Sequence, residues 1–374
     1  MLNDNLIYKL YYGWWKNIDK TIFLLIVLLF SLGLFFSLVS TSLIASNKLD
    51  TNNYFFFFRH LAYICIGVIV LIFFSFLNKK YLFKLSIFLF FISLFFLVLV
   101  PIIGIEIKGS KRWIEIFSLP RFQPIELVKP FTIIFLATVL SSEKNSNIYY
   151  KYLLSFIVII PISFLLIMQP DFGQTLLIFL SWLTLVFISG ISLFIFITFF
   201  GVSFISLLFM IFSIPKFEYI RNRILSFFNP DTGTHNFQSE KAIDSIVSGG
   251  FFGKGIGEGT LKNRVPEAHT DYIVSVISEE FGIVVVILLL VIFLIFIYRV
   301  FKKIYSEENE KIKLVLVGSI TLILAQTLIH IGVNIRLFPT TGMTLPFLSY
   351  GGSSIIGVSI LSGIILNLTK RKVN

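Results

Sequence analysis

Ten apolar runs divide the chain, with polar residues confined to short connectors and one long insertion. The runs fall near 21–45, 58–77, 82–104, 125–142, 152–168, 171–189, 192–214, 273–300, 313–333 and 347–368. About 20 helical residues span about 30 Å of hydrocarbon, so each run predicts one membrane-crossing helix. The fourth and fifth are short, and the boundary at Pro170 is abrupt. The insertion, 215–272, is too long for a plain connector, and apolar residues near helical spacing over 237–247 predict a short helix within it. The pattern predicts an all-α polytopic membrane protein of one domain, 1–374, with a large extracytoplasmic loop between helices seven and eight. No internal repeat suggests inverted transporter halves.

Composition agrees: 56% of residues are hydrophobic and 14% charged, which excludes a water-soluble domain. The 45 phenylalanines accompany an abundance of Ile, Lys and Asn, so no function attaches to the aromatics as a class. The single cysteine, Cys65, can form no disulfide within the chain. No cleavable signal is evident, because polar and aromatic residues through Asp19 precede the first run and no small-residue cleavage site follows it.

The net charge of +11 is unevenly placed. Lys16 and Lys20, then Lys79, Lys80 and Lys84, then Arg299, Lys302 and Lys303, and finally Lys370 and Arg371 fall on one side if both termini are cytoplasmic. Two outer segments run against that bias. Residues 105–124 carry Lys111, Arg112 and Arg121, and 215–272 carry Arg221, Arg223, Lys241 and Lys254. Outer cations suit an anionic partner such as a phosphate, although nearby acids make a balanced, solvated loop the plainer reading.

The densest chemistry is Pro266-Glu267-Ala268-His269-Thr270-Asp271, which sets two carboxylates and a histidine against the apolar run beginning at Tyr272. A carboxylate beside hydrocarbon is costly to keep ionised. Asp271 reads either as the N-cap of the eighth helix or as a catalytic acid–base. Glu279 and Glu280, two turns in, are beyond any cap and predict a polar cleft beside that helix. The run from Gly249 to Gly259 departs from a Walker A loop, since Gly255 follows Lys254 where Ser or Thr is required. A re-entrant turn and a diphosphate cradle both remain open there. Gln169-Pro170-Asp171-Phe172-Gly173-Gln174 reads as a tight turn with Asp171 as a cap, or as a second acid at the same cleft. Glu126 and Lys129, at i and i+3, suit a partly buried ion pair, with Lys111-Arg112-Trp113 at the headgroup level just before them. The segment from Phe338 to Ser354, rich in Pro, Gly and hydroxyls, requires irregular backbone of the kind that lines a cavity, although Gly351 and Gly352 also suit close helix packing.

Together and in this order, these segments resemble the SEDS family of cell-wall proteins (FtsW, RodA and SpoVE), and specifically its FtsW branch. The resemblance also takes in Trp14-Trp15-Lys16-Asn17-Ile18-Asp19, Arg59-His60, Phe122-Gln123-Pro124, Asn229-Pro230 and Glu279-Glu280-Phe281-Gly282. It implies a peptidoglycan glycosyltransferase that polymerises lipid II into glycan strands at the outer face of the bacterial cytoplasmic membrane, in septal wall synthesis. Asp271 matches the family's essential acid, and inversion at the donor carbon needs one base and no nucleophilic residue. Lys111, Arg112, Arg223, Lys254 and Arg336 are candidates for the leaving diphosphate. The matched motifs add Gln123, Glu126, Lys129, Asp171, Glu267, His269, Thr270, Ser349, Gly351 and Gly352 as substrate-binding candidates. A divalent cation (Mg or Mn) shared with Asp271 or Glu267 is a possible cofactor. Implied partners are lipid II, a class B penicillin-binding transpeptidase and other divisome membrane proteins, with no nucleic acid. The chain departs from the family pattern at Ile125, at Tyr272 and at Pro130, which should kink or delay the fourth helix. Two rivals stay open on the architecture alone: a lipid II flippase and a non-catalytic divisome scaffold.

Overall fold

The computed structural model describes residues 12–41, 54–107, 110–115, 120–142, 148–228, 237–261 and 265–371. Each predicted run forms a helix within its described residues, with 42–45 of the first run lying outside them: α1 (Lys20–Thr41), α2 (Phe55–Phe76), α3 (Lys79–Ile103), α4 (Pro124–Leu140), α5 (Ile148–Met168), α6 (Phe172–Ile188) and α7 (Leu193–Ser213), then α10 (Ile273–Tyr305), α11 (Glu310–Asn334) and α12 (Gly352–Leu368). Among the described residues, seven of these are long and apolar enough to cross a membrane, while α6 and α12 are shorter apolar helices. The fourth run, α4, has 17 residues and carries Glu126 and Lys129; Pro130 lies inside it without ending it. The fold is thus an all-α polytopic membrane protein.

The long insertion is helical over much of its described length. It holds α8 (Glu218–Phe228) and α9 (Phe237–Gly249), the second of these over the span predicted to be helical. A small antiparallel hairpin, β1 (Ile105–Ile107) and β2 (Ser110–Trp113), follows α3 and was not anticipated. Helix α12 begins at Gly352 rather than near 347, because the backbone turns through a left-handed Phe347 (φ 66) first.

Burial separates centre from rim. In α11, 72% of the apolar window is buried, against 6% in α7, so α11 is surrounded by other helices and α7 faces outward along almost its whole surface. Helix α12 packs along α2, α3 along α4, and α11 along α6, α4 and α10. The basic ends meet at one end of the bundle. Asp19 caps α1 by accepting from Thr21 N and Ile22 N, and Arg299 and Lys303 of α10 each lie 3.4 Å from its carboxylate. At the same end Asn367 donates to Leu77 O, and Arg371 N donates to Asn17 O.

Candidate functional site

At the opposite end a cavity of about 750 Å³ opens between the β-hairpin, the start of α4, the turn before α10 and the irregular stretch before α12. That volume lies within the ~300–1,000 Å³ usual for ligand sites. Asp271, Glu267 and Thr270 line it together with Arg59, Arg112 and Gln123.

The turn bearing Asp271 is held from three directions. Glu267 adopts a left-handed conformation (φ 55), so its carbonyl accepts from Thr270 N at 3.1 Å, Asp271 N at 3.0 Å and Tyr272 N at 3.3 Å. From the segment before α12, Ser349 Oγ donates to Thr270 O (2.7 Å) and Tyr350 N to His269 O (3.0 Å). From α11, Asn334 Nδ2 donates to Asp271 O at 3.1 Å. The N-cap of α10 is Tyr272, which makes no side-chain cap bond; instead Ser275 N, in the first turn, donates to Asn334 Oδ1 at 3.1 Å. A residue of a neighbouring helix thus does the capping that the sequence offered as a role for Asp271. On the cavity side, a Cβ built on Gly342 would lie 3.7 Å from both Asp271 Oδ2 and Arg112 Nη1, so carboxylate and guanidinium flank that glycine. With φ at 71, position 342 also suits glycine for its backbone.

Arg112 is fixed in place. Its Nε donates to Gln169 O (3.1 Å), its Nη2 to Pro170 O, and its Nη1 lies 3.7 Å from Asp171 Oδ1. Asp171 also caps α6 through Gln174 N and accepts from Gln123 Nε2 at 3.0 Å. The Asp171 side chain is itself buried. At 3.7 Å, with its guanidinium already shared with two carbonyls, Arg112 repays only part of the desolvation cost.

Beneath the cavity a polar chain descends between helices. Gln174 Nε2 donates to Glu126 Oε1 (2.8 Å), Glu126 Oε2 pairs with Lys129 Nζ (2.8 Å), and Lys129 Nζ reaches Gln326 Oε1 (3.1 Å). Gln326 Nε2 continues it to Thr344 O (2.8 Å), and Thr344 Oγ1 meets Ser354 Oγ (2.7 Å).

The sequence candidates therefore separate. Arg112, Gln123, Glu126, Glu267, Thr270, Asp271, Gly351 and Gly352 line the cavity. Asp171, Lys129 and Ser349 stand behind it and hold lining groups. His269 packs its ring against Phe56 and Tyr350. Lys111, Lys254 and Arg336 are not brought to the cavity. Strand alternation turns Lys111 outward where Arg112 turns in; Lys254 Nζ lies 3.8 Å from Glu279 Oε1, and Arg336 Nη1 lies 3.7 Å from Glu240 Oε1 on α9. The side chain of Arg223, on α8, lies outside the described residues, as do Asn229 and Pro230.

Other lining or holding groups escaped the sequence reasoning. Asn334, Gln326 and His330 lie four residues apart on α11 and are all buried; His330 Nδ1 meets Met343 O at 2.8 Å. A polar stripe at i, i+4 and i+8 in an apolar helix was the signal available for them. Arg59 was marked in the sequence only through the family resemblance of Arg59-His60, and it is the fold that brings the start of α2 to the cavity.

The profile of the cell cycle protein family FtsW/RodA/SpoVE matches residues 19–374. The chain belongs to this family. It sits on the FtsW branch: it is 29% identical to the probable peptidoglycan glycosyltransferase FtsW of Caulobacter vibrioides, over 96% of this chain and 91% of that one. With the protein of the same name from Buchnera aphidicola (subspecies Acyrthosiphon pisum) it shares 35% identity, over 91% of this chain and 86% of the relative. Two solved structures share the fold. A chain of a peptidoglycan synthase complex matches with TM-score 0.77 at 26% identity, covering 94% of this chain and 97% of that one. The rod-shape-determining protein RodA of Thermus thermophilus matches with TM-score 0.69 at 25% identity, covering 94% of this chain and 96% of that one.

Proposed function

We infer that the chain is a peptidoglycan glycosyltransferase of cell division, polymerising lipid II by inverting transfer. The observation that carries this reading is the placement of Asp271. Its turn is fixed by Glu267, Asn334, Ser349 and Tyr350, while its carboxylate faces a ligand-sized cavity beside an arginine. In the proposed reaction Asp271 takes the proton of the acceptor sugar hydroxyl as that oxygen attacks the anomeric carbon of the donor. The carbon–oxygen bond to the diphosphate breaks on the opposite face, and the departing diphosphate carries away the electron pair. Arg112 and Arg59 supply positive potential where that charge grows.

The finer assignments belong to the same proposal. The basic end of the bundle faces the cytoplasm with both termini, the cavity faces outward at the division septum, and a class B penicillin-binding transpeptidase is the working partner. Among the described residues no three His, Cys, Asp or Glu side chains converge to hold a metal, so a divalent cation would take Asp271 and Glu267 with the diphosphate oxygens. Such an ion would neutralise charge on the leaving group.

The test uses the chain in nanodiscs with its transpeptidase and labelled lipid II. Wild type should give glycan polymer, and Asp271→Asn, with an unchanged unfolding temperature, should lose at least ~100-fold in rate. Equal polymer from both would overturn the assignment of the base. Flipping of lipid II in vesicles without polymerisation would overturn the enzyme in favour of a transporter.

A further inference from the structure

The glycine-rich run after α9, open in the sequence to a re-entrant turn or a diphosphate cradle, packs against α10. It fills a break in α10. At Gly282 that helix leaves helical geometry (φ 80, ψ 172), which strips backbone groups on both sides of their usual partners. The run supplies replacements in order. Ile283 N donates to Gly250 O (3.0 Å) and Val284 N to Phe251 O (3.4 Å), while Lys254 N donates to Glu279 O (2.9 Å) and Gly255 N to Glu280 O (3.0 Å). The two carboxylates that the sequence placed beside a polar cleft are used here as well: Glu279 Oε1 accepts from Leu261 N at 2.8 Å, and Glu280 accepts from Gly257 N. A Cβ on Gly253 would collide with the backbone of Glu280, so the contact is backbone on backbone.

Such full pairing is what a low-dielectric surrounding demands of irregular backbone. Depth along α10 points the same way. Gly282 lies about 26 Å along the unbroken part of the helix from Arg299, at 1.5 Å per residue. Arg299, Lys302 and Lys303 mark the basic end of this helix, and the hydrocarbon layer is about 30 Å thick. The break, and the run that fills it, therefore fall just inside the other boundary of that layer.

The exposed side chains suit that depth. Val247 is 73% exposed, Phe251 72%, Phe252 85% and Ile256 65%, a contiguous apolar tip. Between Val247 and Gly257 the only charged residue is Lys254, and its ammonium turns inward to Glu279. We propose that this tip is a re-entrant segment seated in the acyl-chain boundary of the membrane on the Asp271 side, with Val247, Phe251, Phe252 and Ile256 against lipid. Helix α9 rises from the tip to the cavity, where Gln238 lines the wall and Glu240 meets Arg336. The tip thus ties the cavity wall to headgroup depth, where a lipid-linked sugar diphosphate would present its reacting carbon. That purpose rests on the proposed function; the insertion itself does not.

The test places a nitrobenzoxadiazole fluorophore on Phe252→Cys, in a Cys65→Ala background, with the chain alone in phosphatidylglycerol–phosphatidylethanolamine nanodiscs. Phe237→Cys, at the far end of α9, is the reference site. Lipid nitroxide at the 5-position should quench the label at 252 several-fold more than aqueous iodide does, with the order reversed at 237. Iodide quenching both sites alike would overturn the proposal by placing the tip in water. Shielding of 252 from both quenchers would overturn it by placing the tip against protein. Neither readout depends on polymerisation, so failure of the Asp271→Asn experiment would leave this result standing.

Discussion

Asp271 is useful because other residues spare it structural work. Asn334 caps α10 and holds the Asp271 carbonyl with opposite ends of one amide. Those two roles can be separated. Asn334→Asp retains the acceptor for Ser275 N but, once ionised, lacks the donor to Asp271 O. Its turnover should fall by ~10- to 100-fold with little change in KM, as expected when a catalytic group shifts by about 1 Å. Activity should recover as pH falls and the new carboxyl regains a proton. Asn334→Ala should lose both activity and unfolding temperature. Steady-state kinetics across pH, with unfolding measured alongside, decides it: loss in both variants that tracks stability alone, with no recovery at low pH, would reduce Asn334 to a structural residue.

At the scale of elements, α4 and α11 carry their polar groups in pairs across a shared interface. Glu126 and Lys129 are both buried on α4 and are completed by Gln174 and Gln326 from neighbouring helices. Removing one member leaves a charge stranded in a medium that solvates it poorly. Glu126→Gln should cost ~3–5 kcal/mol in thermal unfolding, whereas the Glu126→Gln, Lys129→Met double variant should recover much of that loss. A double variant no more stable than Glu126→Gln would show that the network around the pair, rather than the stranded ammonium, carries the cost. The stripe Gln326, His330 and Asn334 gives α11 its second role: one face of a central helix fixes the floor of the cavity, the loop at Met343 and the Asp271 turn.

At the scale of the whole molecule, the two ends are built differently. The cavity end relies on irregular backbone held by buried polar side chains, and the basic end on a charge clamp joining α1 to α10. Burial alone would raise the Asp19 carboxyl, but the Ile22 N–H, Arg299 and Lys303 outweigh it and hold it below its ordinary value of 3.8. A carboxyl depressed in the folded state gives stability that is complete above that ordinary value and is lost as pH falls through the folded one. Asp19→Ala should therefore unfold at lower temperature than wild type near neutral pH, with about 1 kcal/mol from the lost cap alone, and the gap should narrow in strong acid. A gap independent of pH would show that neither the cap bonds nor the ion pairs hold the carboxyl below its ordinary value.

The sequence by itself determined the helices and their order, because an apolar run of membrane length has only one satisfactory backbone, with every N–H and C=O paired internally. It also marked the Asp271 turn, since a carboxylate beside hydrocarbon is too costly to be incidental. What it left open were the partners of each polar group. Whether Asp271 capped α10, which carboxylate lay beside Lys254, whether Lys111 or Arg112 turned inward, and what Gly249–Gly259 packed against all depended on residues tens or hundreds of positions away. Only the tertiary structure decided these. A helix forms from bonds within four residues, but a cavity is made by side chains that meet across helices, and spacing along the chain carries no record of which helices those are.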